Sequence, residues 1–219
     1  VKDAFHELHR GTLQTFINAF TYPDKTIYPV ASQVKVDFYN LARVYMDLVL
    51  RPRLLPETFA QEGHHRELAT AGDPASDLTV SGIVYNEMKG AYSSPDNLMF
   101  KAIQENLFPD TAYRFDAGGA PEVIPTLTYE NFCAFHRAYY SPSNARIFLY
   151  GNIGPAEHLA FLEEALAGFD AVTVDSVIPP QPRWNAPRTV RRDLPVAKDE
   201  DPRRGAVVNI AWMLSENTE

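Results

Sequence analysis

Apolar residues recur every three to four positions along much of the chain, a spacing that predicts amphipathic helices. The clearest stripe runs over residues 37–50, where Asp37 can cap the start and Pro52 follows the end. A short helix or two is predicted over residues 3–16, broken near Gly11. Further helices are predicted over residues 56–68, 78–92, 97–107, 129–140 and 155–167.

Other apolar runs are short and rich in β-branched or aromatic residues, which favours strands. Residues 18–28 carry two such runs around a Pro-Asp turn, a pattern that predicts a hairpin. Residues 145–150 and 206–212 are each predicted to form a strand, the second of them buried. Helices and strands alternate without the regular spacing of βαβ units, so the sequence predicts an α+β fold rather than a doubly wound sheet.

Prolines become frequent after Phe169 and indicate an extended segment, with four of them between residues 179 and 187. We therefore predict one unit over residues 1–178, a linker-like segment over 179–205, and the start of a further unit over 206–219, beginning with a strand. The chain begins at Val1 without a methionine or a signal peptide, so we expect it to be part of a longer protein.

The composition is that of a globular chain able to bury a core: 219 residues, 45% apolar and 22% charged. Lysine and arginine total 20 against 28 acidic residues, giving a net charge of −8, so we expect no nucleic-acid partner. No apolar run approaches the length of about 20 residues that a membrane helix needs, and we expect no membrane association. The single cysteine, Cys133, cannot form an internal disulfide, which fits a reducing compartment.

Two pairs of histidines invite comparison with metal sites. His6 and His9 lie three residues apart, whereas the two histidines of a zincin helix lie four apart. That pair can still chelate a metal, although an exposed helix face explains it as well. His64 and His65 are predicted near the end of a helix, where adjacent side chains diverge and a solvated surface is favoured.

Glu87 falls in an apolar row of the helix predicted over residues 78–92. The row comprises Val80, Ile83, Val84, Glu87 and Ala91 at helical spacing. A buried carboxylate must be paired with a cation, hydrogen-bonded or bound to a metal. In the alternative interpretation, Gly82 and Gly90 shorten the helix and Glu87 lies at the surface.

Several motifs occur in a fixed order between residues 3 and 152. They are Gly11 to Asp24, Tyr28 to Ser32, Asp37 to Leu41, Gln61 to Gly63, Gly82 to Tyr92 with Ser94 to Asp96, Tyr140 to Arg146 and Tyr150 to Asn152. Together they resemble the presequence-protease branch of the pitrilysin/insulinase zinc metallopeptidases, with weaker similarity beyond residue 152. The resemblance implies an α+β unit in which a mixed, largely antiparallel sheet packs against several helices, here an incomplete catalytic-type unit of the first domain.

The resemblance also implies a zinc ligand. In that family two histidines of a His-x-x-Glu-His motif and a glutamate further along hold one Zn²⁺, and Glu87 occupies the position of that glutamate. The glutamate of the motif acts as the general base on zinc-bound water. No His-x-x-Glu-His occurs in the 219 residues, so the resemblance places two ligands and the base upstream of Val1. We therefore expect no catalytic residue in this chain, and Zn²⁺ absent from it or weakly bound.

Asn18, Ala19 and Phe20 match the family's edge strand, which binds the substrate peptide by main-chain pairing. Such pairing needs only exposed backbone donors and acceptors, and an ordinary hairpin strand offers them too. The resemblance thus implies an unstructured peptide substrate and, as a partner, the remaining half of the parent chain.

The expected function is that of a fragment of a zinc-dependent oligopeptidase that hydrolyses short unstructured peptides in an enclosed chamber, the fragment itself being inactive. One alternative is a non-catalytic member of the same fold that serves as a structural or peptide-holding half. Another is a generic α+β binding module unrelated to peptidases. By resemblance we expect an intracellular protein, cytoplasmic in a bacterium and in the mitochondrial matrix or a plastid in a eukaryote.

Overall fold

The computed structural model describes residues 16–195, 201 and 205–215, and its mixture of helices and small antiparallel sheets confirms an α+β fold. The strands in this part of the chain are β1 (Phe16–Ile17), β2 (Phe20–Thr21), β3 (Thr26–Ile27), β4 (Val30–Ala31), β5 (His65–Leu68) and β6 (Leu78–Ser81). The α-helices in the same part are α1 (Lys35–Leu50), α2 (Pro56–Glu62), α3 (Ile83–Ala91), α4 (Pro95–Leu107), α5 (Tyr129–Tyr139) and α6 (Pro155–Leu166). None of these helices combines the length and the apolar character that crossing a membrane requires.

The chain divides into two compact units. The first comprises Val1–Leu55 and Thr128–Val177, and the second comprises Pro56–Leu127 and Ile178–Glu219. In the first unit a long hairpin pairs β1 with β4 and β2 with β3. Its inner face packs on α1, where Ile17, Leu41 and Tyr45 form a buried cluster flanked by Tyr28 and Val30. Helix α1 therefore supports the strand for which the family resemblance implies peptide binding.

Helices α5 and α6 complete the first unit around α1. Thr128 caps α5 by accepting a hydrogen bond from the Asn131 backbone N–H at 3.2 Å. The ring of His136 on α5 lies 2.9 Å from the Val49 carbonyl at the end of α1. On α6, Glu164 accepts a hydrogen bond from Arg43 of α1 at 2.7 Å. The N- and C-terminal parts of this unit are thus held together by side chains distant in sequence.

Tyr28 of the hairpin contacts Tyr45 and Tyr140, and the shifted pKa values of Tyr28 and Tyr45 predict how the stability of the first unit depends on pH. The Tyr28 and Tyr140 hydroxyls are 2.7 Å apart, and the Tyr28 ring meets Tyr45 edge-on. Burial, reinforced by the Tyr140 hydroxyl, raises the pKa of Tyr28, and burial raises the pKa of Tyr45. Because the folded state favours the neutral phenols, their stabilisation is complete below pH 10 and is lost as pH rises above it.

We therefore expect the midpoint of thermal unfolding to fall between pH 8 and pH 10.5, and to fall less in Tyr28→Phe. Loss of the hydroxyl pair should itself cost about 1 kcal/mol at neutral pH. Thermal unfolding followed by circular dichroism at both pH values measures the two effects. Equal shifts for the native chain and the variant would exclude Tyr28 as a source of the alkaline sensitivity.

In the second unit, β5 and β6 form a hairpin in which His65 pairs with Ser81 and Leu68 with Leu78. Helix α3 follows β6 directly after Gly82, whose φ is +155°. A Cβ atom at Gly82 would lie 2.3 Å from the Gly63 carbonyl oxygen. Glycine is therefore required at the junction between the strand and α3, both for its backbone conformation and for the close approach of the chain before β5.

The helices predicted over residues 56–68 and 78–92 are not continuous: in the structure each range contains one helix and one strand. Helix α2 ends at Glu62 and residues 65–68 form β5, while residues 78–81 form β6 ahead of α3. The glycines at positions 63 and 82 separate the elements, and the alternation of Leu78 and Val80 suits a strand whose partner lies ten to sixteen residues upstream. Tertiary pairing thus overrides the helical spacing, and His65 lies in a strand rather than near a helix end.

Two predicted strands are wrong within the described residues. Residues 145–150 and 205–215 belong to no helix or strand, and Phe148, Tyr150, Val208 and Trp212 are largely exposed. A strand needs a neighbour for its backbone groups, and no neighbour is found among the described residues. Asp37 is also not the cap of α1, which begins after Val34. The helix predicted over residues 3–16 lies, apart from Phe16, outside the described residues.

Candidate functional site

Helix α3 of the second unit carries Glu87 on its exposed side. Ile83 and Val84, one turn earlier, are also exposed, at 52% and 38%, whereas the next residue, Met88, is buried. Among the described residues the Glu87 carboxylate makes no hydrogen bond or ion pair. The apolar row predicted around Glu87 thus exists over residues 83–91 but faces outward, and Val80 belongs to β6 instead.

Met88 fixes the orientation of α3. Its sulfur lies over Gly118, where an added Cβ atom would be 2.3 Å from it. Gly118 belongs to a turn in which its N–H donates to the Asp116 carboxylate at 2.9 Å, and the turn continues through Gly119 at φ +90°. Ile124, buried beside Gly119, closes the same region. The glycine pair at 118–119 is the sequence signal for this contact, which the sequence analysis missed.

No complete zinc site is found among the described residues. Nowhere in residues 16–195 or 205–215 do three His, Cys, Asp or Glu side chains gather in a manner that could hold a metal. His64 lies 2.9 Å from the Leu127 carbonyl, and His65 lies 2.8 Å from the Ala60 carbonyl. His6 and His9 lie outside the described residues. A structural or catalytic zinc needs at least three protein ligands, and Glu87 supplies one carboxylate.

A cavity of about 540 Å³ opens in the second unit between α4 and the extended segments near residues 183–194 and 207–213. Its lining contains apolar side chains, arginines and asparagines, with Arg188 stacked 4.0 Å above the Trp184 ring. Glu87 does not line it, and none of the described residues of its lining is acidic, a histidine or a cysteine.

Asn18 and Ala19 lie in the first unit between β1 and β2, and Phe20 is the first residue of β2. All three are exposed. The pairing is in continuous register: Ile17 faces Val30 and Phe20 faces Ile27, which sets Asn18 opposite Pro29 and Ala19 opposite Tyr28. Asn18 bonds across the hairpin, its N–H donating to the Pro29 carbonyl at 3.2 Å.

In an antiparallel pair the residues between the hydrogen-bonded pairs point their backbone groups away from the partner. Ala19 is such a residue, so its N–H and carbonyl face the edge of the strand, where no other described strand pairs with it. The Asn18 side-chain oxygen accepts the Ala19 N–H at 2.8 Å. Of the three candidate residues, Ala19 thus offers main-chain groups, and Asn18 and Phe20 offer side chains beside them.

Comparison with known proteins covers both candidate features. The chain is 46% identical over 220 residues to Presequence protease 1, chloroplastic/mitochondrial, of Arabidopsis thaliana, which aligns with 99% of this chain. It is 40% identical to Presequence protease, mitochondrial, of Xenopus laevis, with all of this chain aligned, and 43% identical to Protein HypA of Clostridium perfringens. A family model described as the peptidase M16 inactive domain matches residues 126–216.

The chain belongs to the presequence-protease branch of the M16 peptidase family. The family resemblance seen in the motifs is thereby confirmed. The chain spans about a fifth of the length of these presequence proteases, covering 20% of the Arabidopsis protein and 21% of the Xenopus protein. The inactive-domain match begins after both Glu87 and the Asn18–Phe20 strand, so neither lies within it.

Proposed function

We propose that this chain forms part of a zinc-dependent oligopeptidase that hydrolyses short unstructured peptides in an enclosed chamber. The observation that carries the proposal is the alignment with proteins named presequence protease, which extends over 99% of the chain and includes both Glu87 and the edge strand. In this proposal the strand binds the peptide, Glu87 is a zinc ligand, and the remaining half of the parent chain is the partner that completes the chamber.

Glu87 suits the ligand role because its carboxylate is exposed and, among the described residues, carries no competing hydrogen bond or ion pair. Burial of the neighbouring residue, Met88, holds the helix in place, so that the carboxylate is presented from a fixed element. A bound zinc ion lowers the pKa of its water and polarises the scissile carbonyl. This chain contributes the ligand; the His-x-x-Glu-His motif is not found in its sequence, and we expect the chain by itself to be inactive.

The edge strand explains a preference for unstructured peptides. Ala19 presents an N–H and a carbonyl to the strand edge, and these can pair only with a peptide in the extended conformation. Main-chain pairing does not depend on the identity of the side chains, so the strand can bind peptides of many sequences. Folded proteins are excluded because their backbone groups are already hydrogen-bonded. The exposed rings of Phe16 and Phe20, on the same face as Asn18, offer apolar contact to every second side chain of such a peptide.

A second candidate function is that of a non-catalytic, peptide-holding half. The inactive-domain match over residues 126–216 favours it, because part of this chain resembles a domain that lacks activity. The edge strand would serve both functions, whereas a zinc ligand at Glu87 serves only the peptidase. Relatives named for mitochondria and chloroplasts support an organellar location if the source is a eukaryote.

Metal removal distinguishes the two functions. We expect the full-length protein to cleave a fluorogenic unstructured peptide, to lose this activity on dialysis against a chelator, and to recover it when Zn²⁺ is restored. A folded protein containing the same peptide segment serves as the control and should resist cleavage. Absence of cleavage by the zinc-loaded protein would refute the peptidase and leave the peptide-holding function.

A further inference from the structure

Pro29 leaves a gap in the hydrogen-bond ladder of the hairpin. Asn18 and Pro29 form a hydrogen-bonded pair, in which each residue normally donates its N–H to the carbonyl of the other. The Asn18 N–H donates to the Pro29 carbonyl, but proline has no N–H to return. The Asn18 carbonyl therefore lacks its donor from the neighbouring strand.

Tyr45 supplies that donor. Its hydroxyl donates to the Asn18 carbonyl from the middle of α1, and its side chain is only 5% exposed. The ring is wedged in the core with Ile17 and Leu41, and Tyr28 contacts it edge-on with ring centroids 5.9 Å apart. A group so confined holds its hydrogen-bond partner in one place.

The bond to Asn18 controls the orientation of Ala19. The Asn18 carbonyl and the Ala19 N–H belong to the same peptide unit, which is planar and trans, so they point in opposite directions. Fixing the carbonyl toward Tyr45 fixes the N–H toward the opposite edge of the strand, where no other described strand pairs. That N–H is the donor that a peptide bound at the edge would use, in place of the Asn18 side-chain oxygen that accepts it at 2.8 Å.

We infer that Tyr45 is a positioning residue for peptide binding: it replaces the donor that Pro29 cannot provide and so aims the Ala19 N–H at a main-chain carbonyl of an extended peptide. The inference rests on the proposed function in that it takes the strand edge as the peptide site. It requires binding at this edge and does not require hydrolysis.

The test measures binding of a fluorescently labelled unstructured peptide to the full-length protein after metal removal, by fluorescence polarisation. We expect Tyr45→Phe to raise the dissociation constant about fivefold, the effect of one misaligned hydrogen bond. Tyr39→Phe is the matched control, because Tyr39 also lies on α1 but its hydroxyl bonds to His158 at 3.1 Å. The control should leave the dissociation constant unchanged.

Pro29→Ala provides a rescue that a purely structural role would not show. Alanine restores the backbone N–H, which can then donate to the Asn18 carbonyl without the hydroxyl. We expect the double variant Tyr45→Phe with Pro29→Ala to recover native affinity. Where the zinc-loaded protein cleaves peptides, KM should follow the dissociation constant while kcat changes little.

Three results would overturn the inference: native protein that binds no peptide, a Tyr45→Phe dissociation constant equal to that of Tyr39→Phe, or a double variant that does not recover. Native protein that binds peptide without cleaving it when loaded with zinc would refute the proposed peptidase instead. In that case the dissociation constants of the variants still decide the role of Tyr45.

Discussion

Replacing Glu87 by glutamine is expected to lower the peptidase activity of the full-length protein by at least about 100-fold. The amide keeps the size of the side chain but removes the negative charge that binds the metal and replaces one acceptor oxygen by an NH2 donor. Glu87 is exposed, so the substitution should not disturb the core around Met88. Bound zinc, measured by elemental analysis after dialysis, should fall together with kcat/KM.

Glu163→Gln is the matched control for this substitution. Glu163 is likewise an exposed glutamate on an α-helix, α6, and its replacement removes the same charge. The control should retain native activity and zinc content. If Glu87→Gln behaved in the same way as Glu163→Gln, Glu87 would not be a zinc ligand.

Replacing Gly82 by alanine is expected to destabilise the chain by about 2–4 kcal/mol. The new Cβ atom would meet the Gly63 carbonyl oxygen at 2.3 Å and the His64 Cα at 2.8 Å. Both are backbone atoms, which cannot rotate out of the way as the end of a side chain can. The φ of +155° adds conformational strain for any residue with a side chain. Urea unfolding of the 219-residue chain, followed by circular dichroism, measures the loss.

Alanine substitutions at two other glycines separate the cost of the backbone conformation from the cost of the contact with Gly63. Gly72 has φ +81° but no atom within 4 Å of an added Cβ, so Gly72→Ala should cost only about 1 kcal/mol. Gly90 lies within α3 and also has open space around it, so Gly90→Ala should stabilise the chain by up to about 1 kcal/mol. A loss for Gly82→Ala no greater than that for Gly72→Ala would show that the contact with Gly63 is unimportant.

The sequence predicted elements well where local signals were sufficient. The helix over residues 37–50 is observed as α1, which starts two residues earlier. Thr128 precedes α5 and Gly168 follows α6, both close to the predicted positions. The hairpin around Pro23-Asp24 is confirmed by the pairing of β2 with β3. In each case the pattern, the cap or the turn residue acts within one turn or one strand pair.

The predictions failed where the outcome depends on distant residues. Residues 65–68 and 78–81 are strands because they pair with each other, which the helical spacing of their apolar residues does not reveal. Residues 145–150 and 206–212 have the composition of strands, but in the described residues they have no neighbour with which to pair. Residue composition makes a segment able to form a strand, but the strand forms only where a neighbouring strand is available for pairing.

The candidate site was located by resemblance rather than by residue pattern. An exposed glutamate such as Glu87 resembles any surface glutamate, and its apolar neighbours predicted burial that the described residues do not provide. The role of each residue in the strand depends on the register: only the pairing of Asn18 with Pro29 shows that the backbone groups of Ala19 point away from the neighbouring strand. Tyr45 could not be found from sequence, because its partner lies 27 residues away.

The division of the first unit into two separate segments delays its assembly during synthesis. The hairpin and α1 leave the ribosome before α5 and α6, which pack against α1 and follow only after residues 56–127 have been made. At about 5–20 residues per second this delay is on the order of ten seconds. Throughout that interval the nascent first unit exposes the α1 face that α5 and α6 later cover, so it is the segment on which a chaperone would act during translation.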